Sequence, residues 1–196
     1  RFIEREKNLG MTSNFFETFK LCKGDYIAIC DSDDFWIDKY KLQKQVNFLE
    51  NNKEYVVSFH DVLLFDENSK KINRDYILDA VKRDYDSVEL VLGAFLMPVT
   101  MCFRNVITEI PKEAYKVTNW DVFLISLLGK FGKAKFMNNI NPAGYRLHGK
   151  NISGTLTELM KNYQRKVVFL QLLRYYHRKK NKKISLIFLT KFRSSI

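Results

Sequence analysis

The sequence predicts a mixed α/β domain followed by a basic helical tail, and three observations carry that reading. Short apolar runs of strand length alternate with stretches of helical periodicity, in the order helix, strand, helix, strand, along most of the chain. One run, Tyr26-Ile27-Ala28-Ile29-Cys30, has no polar interruption, which is the habit of a strand buried on both faces in a helix-covered sheet. The net charge of +11 is confined to the C-terminal end: of 33 Lys and Arg, eleven follow position 158, where no Asp or Glu occurs. The remaining 22 basic residues match 22 acidic ones, so the body is neutral and the tail carries the charge.

At 196 residues the chain has room for one domain with a sizeable core. The shift in composition around Gly149 to Thr155 divides a body, residues 1–154, from a tail, residues 155–196. Cys22, Cys30 and Cys102 are an odd number without paired spacing and read as reduced core residues in a cytoplasmic protein. No stretch approaches the ~20 apolar residues of a membrane span.

In order, Thr12 or Ser13 caps a short helix carrying Phe15, Phe16 and Phe19, and Gly24 stops it. The apolar run at 25–30 is the first strand. Leu42, Val46 and Leu49 define the buried face of a helix over 39–51, with Lys and Gln on the other side. Tyr55 to Phe65 reads as a single strand that contains His60, to which no chemical role is given. Asp86 or Ser87 opens a helix to Leu92, and Val99 to Phe103 is a second short buried strand. A helix over 119–131 follows from the spacing of Trp120, Phe123, Leu124, Leu127 and Leu128. Ala134 to Met137 is a strand, and Leu156 to about Lys180 a long helix.

The chemistry is concentrated in Asp31-Ser32-Asp33-Asp34-Phe35-Trp36, directly after the first strand. Ligands of open α/β sheets bind at the carboxyl ends of strands. Three carboxylates in four positions repel one another unless a positive charge lies between them, and a divalent cation with hard oxygen ligands meets that need. A polar turn that caps the next helix is the plainer alternative.

Several segments together resemble family 2 glycosyltransferases of the GT-A (Rossmann-like) fold. They are Asn8-Leu9-Gly10, Asn14-Phe15, Lys23 to Ala28, Asp31 to Trp36, Lys41 to Val46, Thr100 to Arg104, Asn119-Trp120-Asp121, and Tyr145 to His148 with Asn151-Ile152-Ser153. The resemblance implies an inverting transfer of a sugar from a nucleotide donor, UDP-linked, to a glycan or lipid-linked acceptor. It implies Asp31, Asp33, Asp34 and Asn14 on the donor side, and Asp33 with His148 as ligands of Mn2+ or Mg2+. Thr100, Trp120 and Arg146 are implied on the acceptor side.

Two departures stand out. The family's base is an Asp just before the aromatic residue, where this chain has Asn119, so the role falls to Asp121 if that segment is still loop. The strand and loop that bind the nucleotide base in the family have no counterpart ahead of Asn8, which reads as an N-terminally incomplete copy. Both departures also suit a non-catalytic module of the same fold. The basic tail suits either a helix packed on the body or a peripheral attachment to anionic lipid at the inner face of a membrane. Nucleic acid is a competing partner for the tail, and the neutral body and acidic cluster argue against it.

Overall fold

The computed structural model describes residues 2–148 and 156–194. Two sheets form the body. The first has the strand order β1-β5-β2-β6, and the second β4-β3-β7. Strand β1 (Tyr26–Ala28) pairs antiparallel with β5 (Cys102–Arg104), which pairs antiparallel with β2 (Tyr55–Phe59). Strand β2 runs parallel to β6 (Lys133–Phe136). In the second sheet β3 (Val62–Phe65) lies between β4 (Lys71–Ile72), antiparallel, and β7 (Ala143–Arg146), parallel. A mixed α/β architecture is therefore observed.

The first strand is not buried on both faces. It is three residues long, lies at a sheet edge and buries only Ile27, while Cys30 is exposed. Of the three free cysteines only Cys102 belongs to the core. Residues 55–65 are not one strand either. The chain leaves the first sheet at His60-Asp61 and enters the second, so β2 and β3 serve different sheets. His60 sits at that corner, buried, with Nδ1 3.0 Å from the Asp61 carbonyl oxygen. Burial first, then the nearby Lys41, pushes its pKa down to about 3, so the ring stays neutral.

Helix α1 (Met11–Phe19) starts from Gly10, whose φ of 74° a side-chain-bearing residue rarely adopts. Thr12 caps nothing and donates instead to the Val117 carbonyl oxygen at 2.6 Å. Helix α2 (Lys41–Asn51) buries Leu49 as expected but with Lys41 and Gln45, while Val46 is half-buried and Leu42 is 42% exposed, so the buried face is turned from the one the apolar residues define. The reason is a buried polar network. Gln45 Nε2 donates to the carbonyl oxygens of Ser58 and Thr100, and its Oε1 accepts from Lys41 Nζ at 2.7 Å. The Lys41 ammonium also lies 4.4 Å from the centre of the Trp36 ring.

Helix α3 (Ser87–Val91) opens with a capping box between Asp86 and Glu89, so of the two caps expected, Asp86 or Ser87, it is Asp86 that serves. A 3₁₀ turn, Pro98–Thr100, precedes β5. Helix α4 (Trp120–Leu128) is buried nearly all round. Helices α5 (Glu158–Arg178) and α6 (Lys182–Ser194) pack on each other and on the body. Their Val168, Leu172, Tyr175, Tyr176, Ile184 and Phe188 join Phe16, Phe103, Phe123 and Leu124 in the main core. A smaller core of Val62, Ile77, Met97, Val99 and Ala143 lies under Trp36, Tyr76 and Tyr145.

Candidate active site

The acidic loop that follows β1 is held against β7 by backbone and side chain together. Phe35 and Gly144 exchange both backbone hydrogen bonds, at 3.1 and 2.8 Å. A Cβ on Gly144 would fall within 2.5 Å of two Phe35 ring carbons and closer still to a third, so only glycine lets the loop lie this near the strand. Two residues on, Arg146 completes the clamp. Its N–H donates to Asp34 Oδ1 at 3.0 Å, its Nε to the Asp33 carbonyl oxygen at 2.9 Å and its Nη1 to Ser69 Oγ at 2.6 Å. The guanidinium lies over the Phe35 ring. Arg146, expected on the acceptor side, thus braces the acidic loop.

The same clamp brings together two residues 115 positions apart. His148 Nε2 lies 3.0 Å from Asp33 Oδ2, and both side chains are partly exposed. The three carboxylates of the loop do not converge on one point; among the described residues no group of three or more His, Cys, Asp or Glu is arranged to hold a metal ion. Asp34 accepts from the Arg146 N–H, Asp33 faces His148, and the charge of Asp31 is felt at Asp121. Surrounding protein withholds water from Asp34 and, with Asp33 and Asp31 nearby, raises its pKa to about 6 against the pull of the Arg146 N–H. Desolvation and Asp33 raise Asp31 in the same sense.

Asp121 lies in the first turn of α4, not in a loop. The loop that would have let it take the place of Asn119 is therefore not present, and what links Asp121 to the acidic loop is the charge of Asp31, which is felt at its carboxyl. Burial raises the Asp121 pKa, the Val122 and Asp121 N–H groups oppose that, and the charge of Asp31 adds to it. Asp121 in turn helps raise Tyr76, which burial and Tyr145 push up to about 12. The Tyr76 and Tyr145 rings stand 5.1 Å apart. Tyr76, absent from the sequence expectation, therefore lies within electrostatic reach of Asp121. Its position in an irregular stretch between β4 and α3 gave no periodic signal.

The other expected residues lie elsewhere. Thr100 is fully buried, donates its hydroxyl to the Met97 carbonyl oxygen at 2.7 Å and has no surface to offer an acceptor. Trp120 is a core residue stacked on Phe15 at 3.6 Å. Asn14 accepts from Arg5 Nε at 2.9 Å and lines an open cavity of about 460 Å³ with Arg5, Asn8 and Gly10, whose walls do not include the acidic loop. Asn151, Ile152 and Ser153 lie outside the described residues. Further along the loop, Asp38 anchors it. Lys44 at 2.7 Å and the N–H groups of Tyr40 and Asn141 hold this carboxylate down to about 2.

The site is thus an acidic loop at the end of an edge strand of the first sheet, braced by Arg146 and faced by His148 from the end of a strand of the second sheet. The family model described as glycosyl transferase family 2 matches residues 1–104, just over half of the chain, and the chain belongs to that family. The mixed sheets and flanking helices agree with the GT-A expectation. Among curated relatives, the uncharacterized protein Rv1520 of Mycobacterium tuberculosis is 39% identical over 105 residues, 54% of this chain and 30% of that one. The uncharacterized glycosyltransferase MJ1057 of Methanocaldococcus jannaschii is 39% identical over 67 residues, 34% of this chain and 23% of that one. The Escherichia coli UDP-Glc:alpha-D-GlcNAc-diphosphoundecaprenol beta-1,3-glucosyltransferase WfaP is 28% identical over 145 residues, 68% of this chain and 50% of that one. The chain thus spans half or less of the length of these relatives. A solved structure of S. aureus TarS 1–349 in complex with UDP-GlcNAc superposes with a TM-score of 0.49 at 11% identity, over 91% of this chain and 58% of that one.

Proposed function

We propose that the chain carries the catalytic part of an inverting glycosyltransferase that moves a sugar from a UDP-linked donor to a glycan or lipid-linked acceptor, with Mn2+ or Mg2+ as cofactor. The observation that carries this reading is the 3.0 Å approach of His148 Nε2 to Asp33 Oδ2, made across 115 residues by the Phe35–Gly144 bridge and the Arg146 clamp. The donor and acceptor in the name of WfaP support the choice of a UDP-sugar and a lipid-linked acceptor.

One carboxylate oxygen and one imidazole nitrogen facing each other fit a cation that takes few protein ligands and fills its remaining positions with substrate phosphate and water. Asp33 and His148 would hold it, and when bound it supplies positive charge where negative charge develops on the leaving diphosphate. The chain's own residues do the rest. The bond between the anomeric carbon and the diphosphate oxygen breaks as the acceptor oxygen bonds to that carbon from the opposite face. The acceptor's proton passes to Asp121, whose raised pKa makes it a better base than an ordinary carboxylate. Arg146 keeps Asp33 in place through its backbone carbonyl and Asp34 through its carboxylate.

Turnover of UDP-glucose and other UDP-sugars with Mn2+, followed as UDP release, tests the reading. Wild type releases UDP and Asp33→Ala loses at least ~100-fold. Unchanged release in that variant removes Asp33 from the site.

A further inference from the structure

The C-terminal hairpin has an inner face and an outer face of opposite character. The inner face belongs to the main core through Val168, Leu172, Tyr175, Tyr176, Ile184 and Phe188. The rest of its surface is basic, with Lys179, Lys180, Lys182 and Lys183 exposed at the turn between α5 and α6, Arg165 and Arg174 exposed on two sides of α5, and Arg193 along α6. Arg178 pairs with Glu113 and Lys161 with Glu158, which also attracts Arg165, and Glu158 is the hairpin's own sole carboxylate against its eleven Lys and Arg.

Apolar side chains are exposed on the same hairpin. Leu159 is 80% exposed, Tyr163 68%, Leu186 63% and Met160 51%. A polyanion such as nucleic acid would use the cations and leave these side chains in water. A bilayer surface takes both: anionic headgroups meet Lys and Arg, and the aliphatic and aromatic groups enter the boundary between headgroups and acyl chains. No helix among the described residues is long and apolar enough to cross a membrane.

We propose that this hairpin docks on the surface of an anionic phospholipid bilayer, with Leu159, Met160 and Tyr163 at the start of α5 entering the interface. A consequence, which rests on the glycosyltransferase reading, concerns the acceptor. Thr157, the N-cap of α5, is nine residues from His148, a span of at most about 32 Å. Docking therefore holds the cleft within reach of an acceptor whose lipid lies in the same leaflet.

The test is co-sedimentation of the full chain with phosphatidylcholine vesicles, with and without about 30% phosphatidylglycerol. The partition constant is expected to be at least ~10-fold higher on the anionic vesicles and to fall with added salt. Replacing Lys179, Lys180, Lys182 and Lys183 together by Ala should lower it at least ~10-fold, and Leu159→Ser with Tyr163→Ser at least ~3-fold, with melting temperatures within about 2 °C of wild type because all six side chains are exposed. Equal partition on neutral and anionic vesicles overturns the proposal. So does binding to a short DNA duplex that survives the salt which strips the protein from vesicles, or an apolar double variant that partitions like wild type. Vesicle binding without UDP release in the assay above leaves the docking standing and removes only the consequence for the acceptor.

Discussion

Gly144→Ala is the smallest change that separates the acidic loop from the strand it depends on. The added Cβ meets the Phe35 ring at distances that no real pair of carbons keeps, so the ring and the loop backbone must shift. Overpacking of this kind costs about 1–3 kcal/mol, and the two Phe35–Gly144 backbone bonds about 1 kcal/mol each if they open. The ring is only partly buried and has some freedom to give, so a total of about 3 kcal/mol is the working figure. In a chain of this length that corresponds to a fall in melting temperature of roughly 6–12 °C. The functional loss is larger in proportion, because Asp33, Asp34 and His148 take their relative positions from this contact. A displacement of ~1 Å at a reacting site costs roughly 100-fold in turnover. Thermal melts and UDP release read the two effects separately. Repeating Gly144→Ala in a Phe35→Ala background should cost little further stability, since the colliding ring is gone. A Gly144→Ala protein with wild-type melting and turnover, or one that loses as much in the Phe35→Ala background, refutes the reasoning.

Two further predictions follow the same geometry. Asp121→Asn should lower the turnover number at least ~100-fold and abolish the acid limb of its pH profile. In wild type that limb should lie above the ordinary carboxylate range, as the raised pKa of Asp121 requires, with activity lost as pH falls through it; a near wild-type rate would move the base elsewhere. Lys41 is buried, and burial lowers its pKa to about 8 from 10.5. Between those values the unfolded chain holds the proton and the folded one does not, so stability rises with pH across the window by about 3 kcal/mol. Lys41→Met should lack this rise when urea unfolding at pH 7 and pH 10 is compared with wild type; parallel slopes in the two proteins would contradict the burial of a charged Lys41.

The order of elements was legible in the sequence because local chemistry decides it. The Asp86–Glu89 capping box opens α3 where the sequence places it, and the apolar spacing of α4 marks that helix to within a few residues. Faces were less legible. Apolar counting puts Leu42 inward on α2, yet Lys41 and Gln45 turn in because two buried carbonyls, on Ser58 and Thr100, need an amide donor. The corner at His60-Asp61 leaves no mark in a run of Val, Leu and Phe that suits either sheet. The acidic loop announces itself by charge density alone. Its pairing with His148 entered only through resemblance, since nothing local links positions 33 and 148. Gly144, which makes that approach sterically feasible, reads as an unremarkable glycine until the neighbouring ring is in view.

Titration of Mn2+ into the protein in the presence of UDP, with free Mn2+ followed by electron paramagnetic resonance, tests the central claim most directly. The account predicts one bound ion per wild-type chain and at least ~10-fold weaker binding in both Asp33→Ala and His148→Ala. Equal affinity in wild type and His148→Ala would mean that the histidine facing Asp33 holds no cation, and would contradict it.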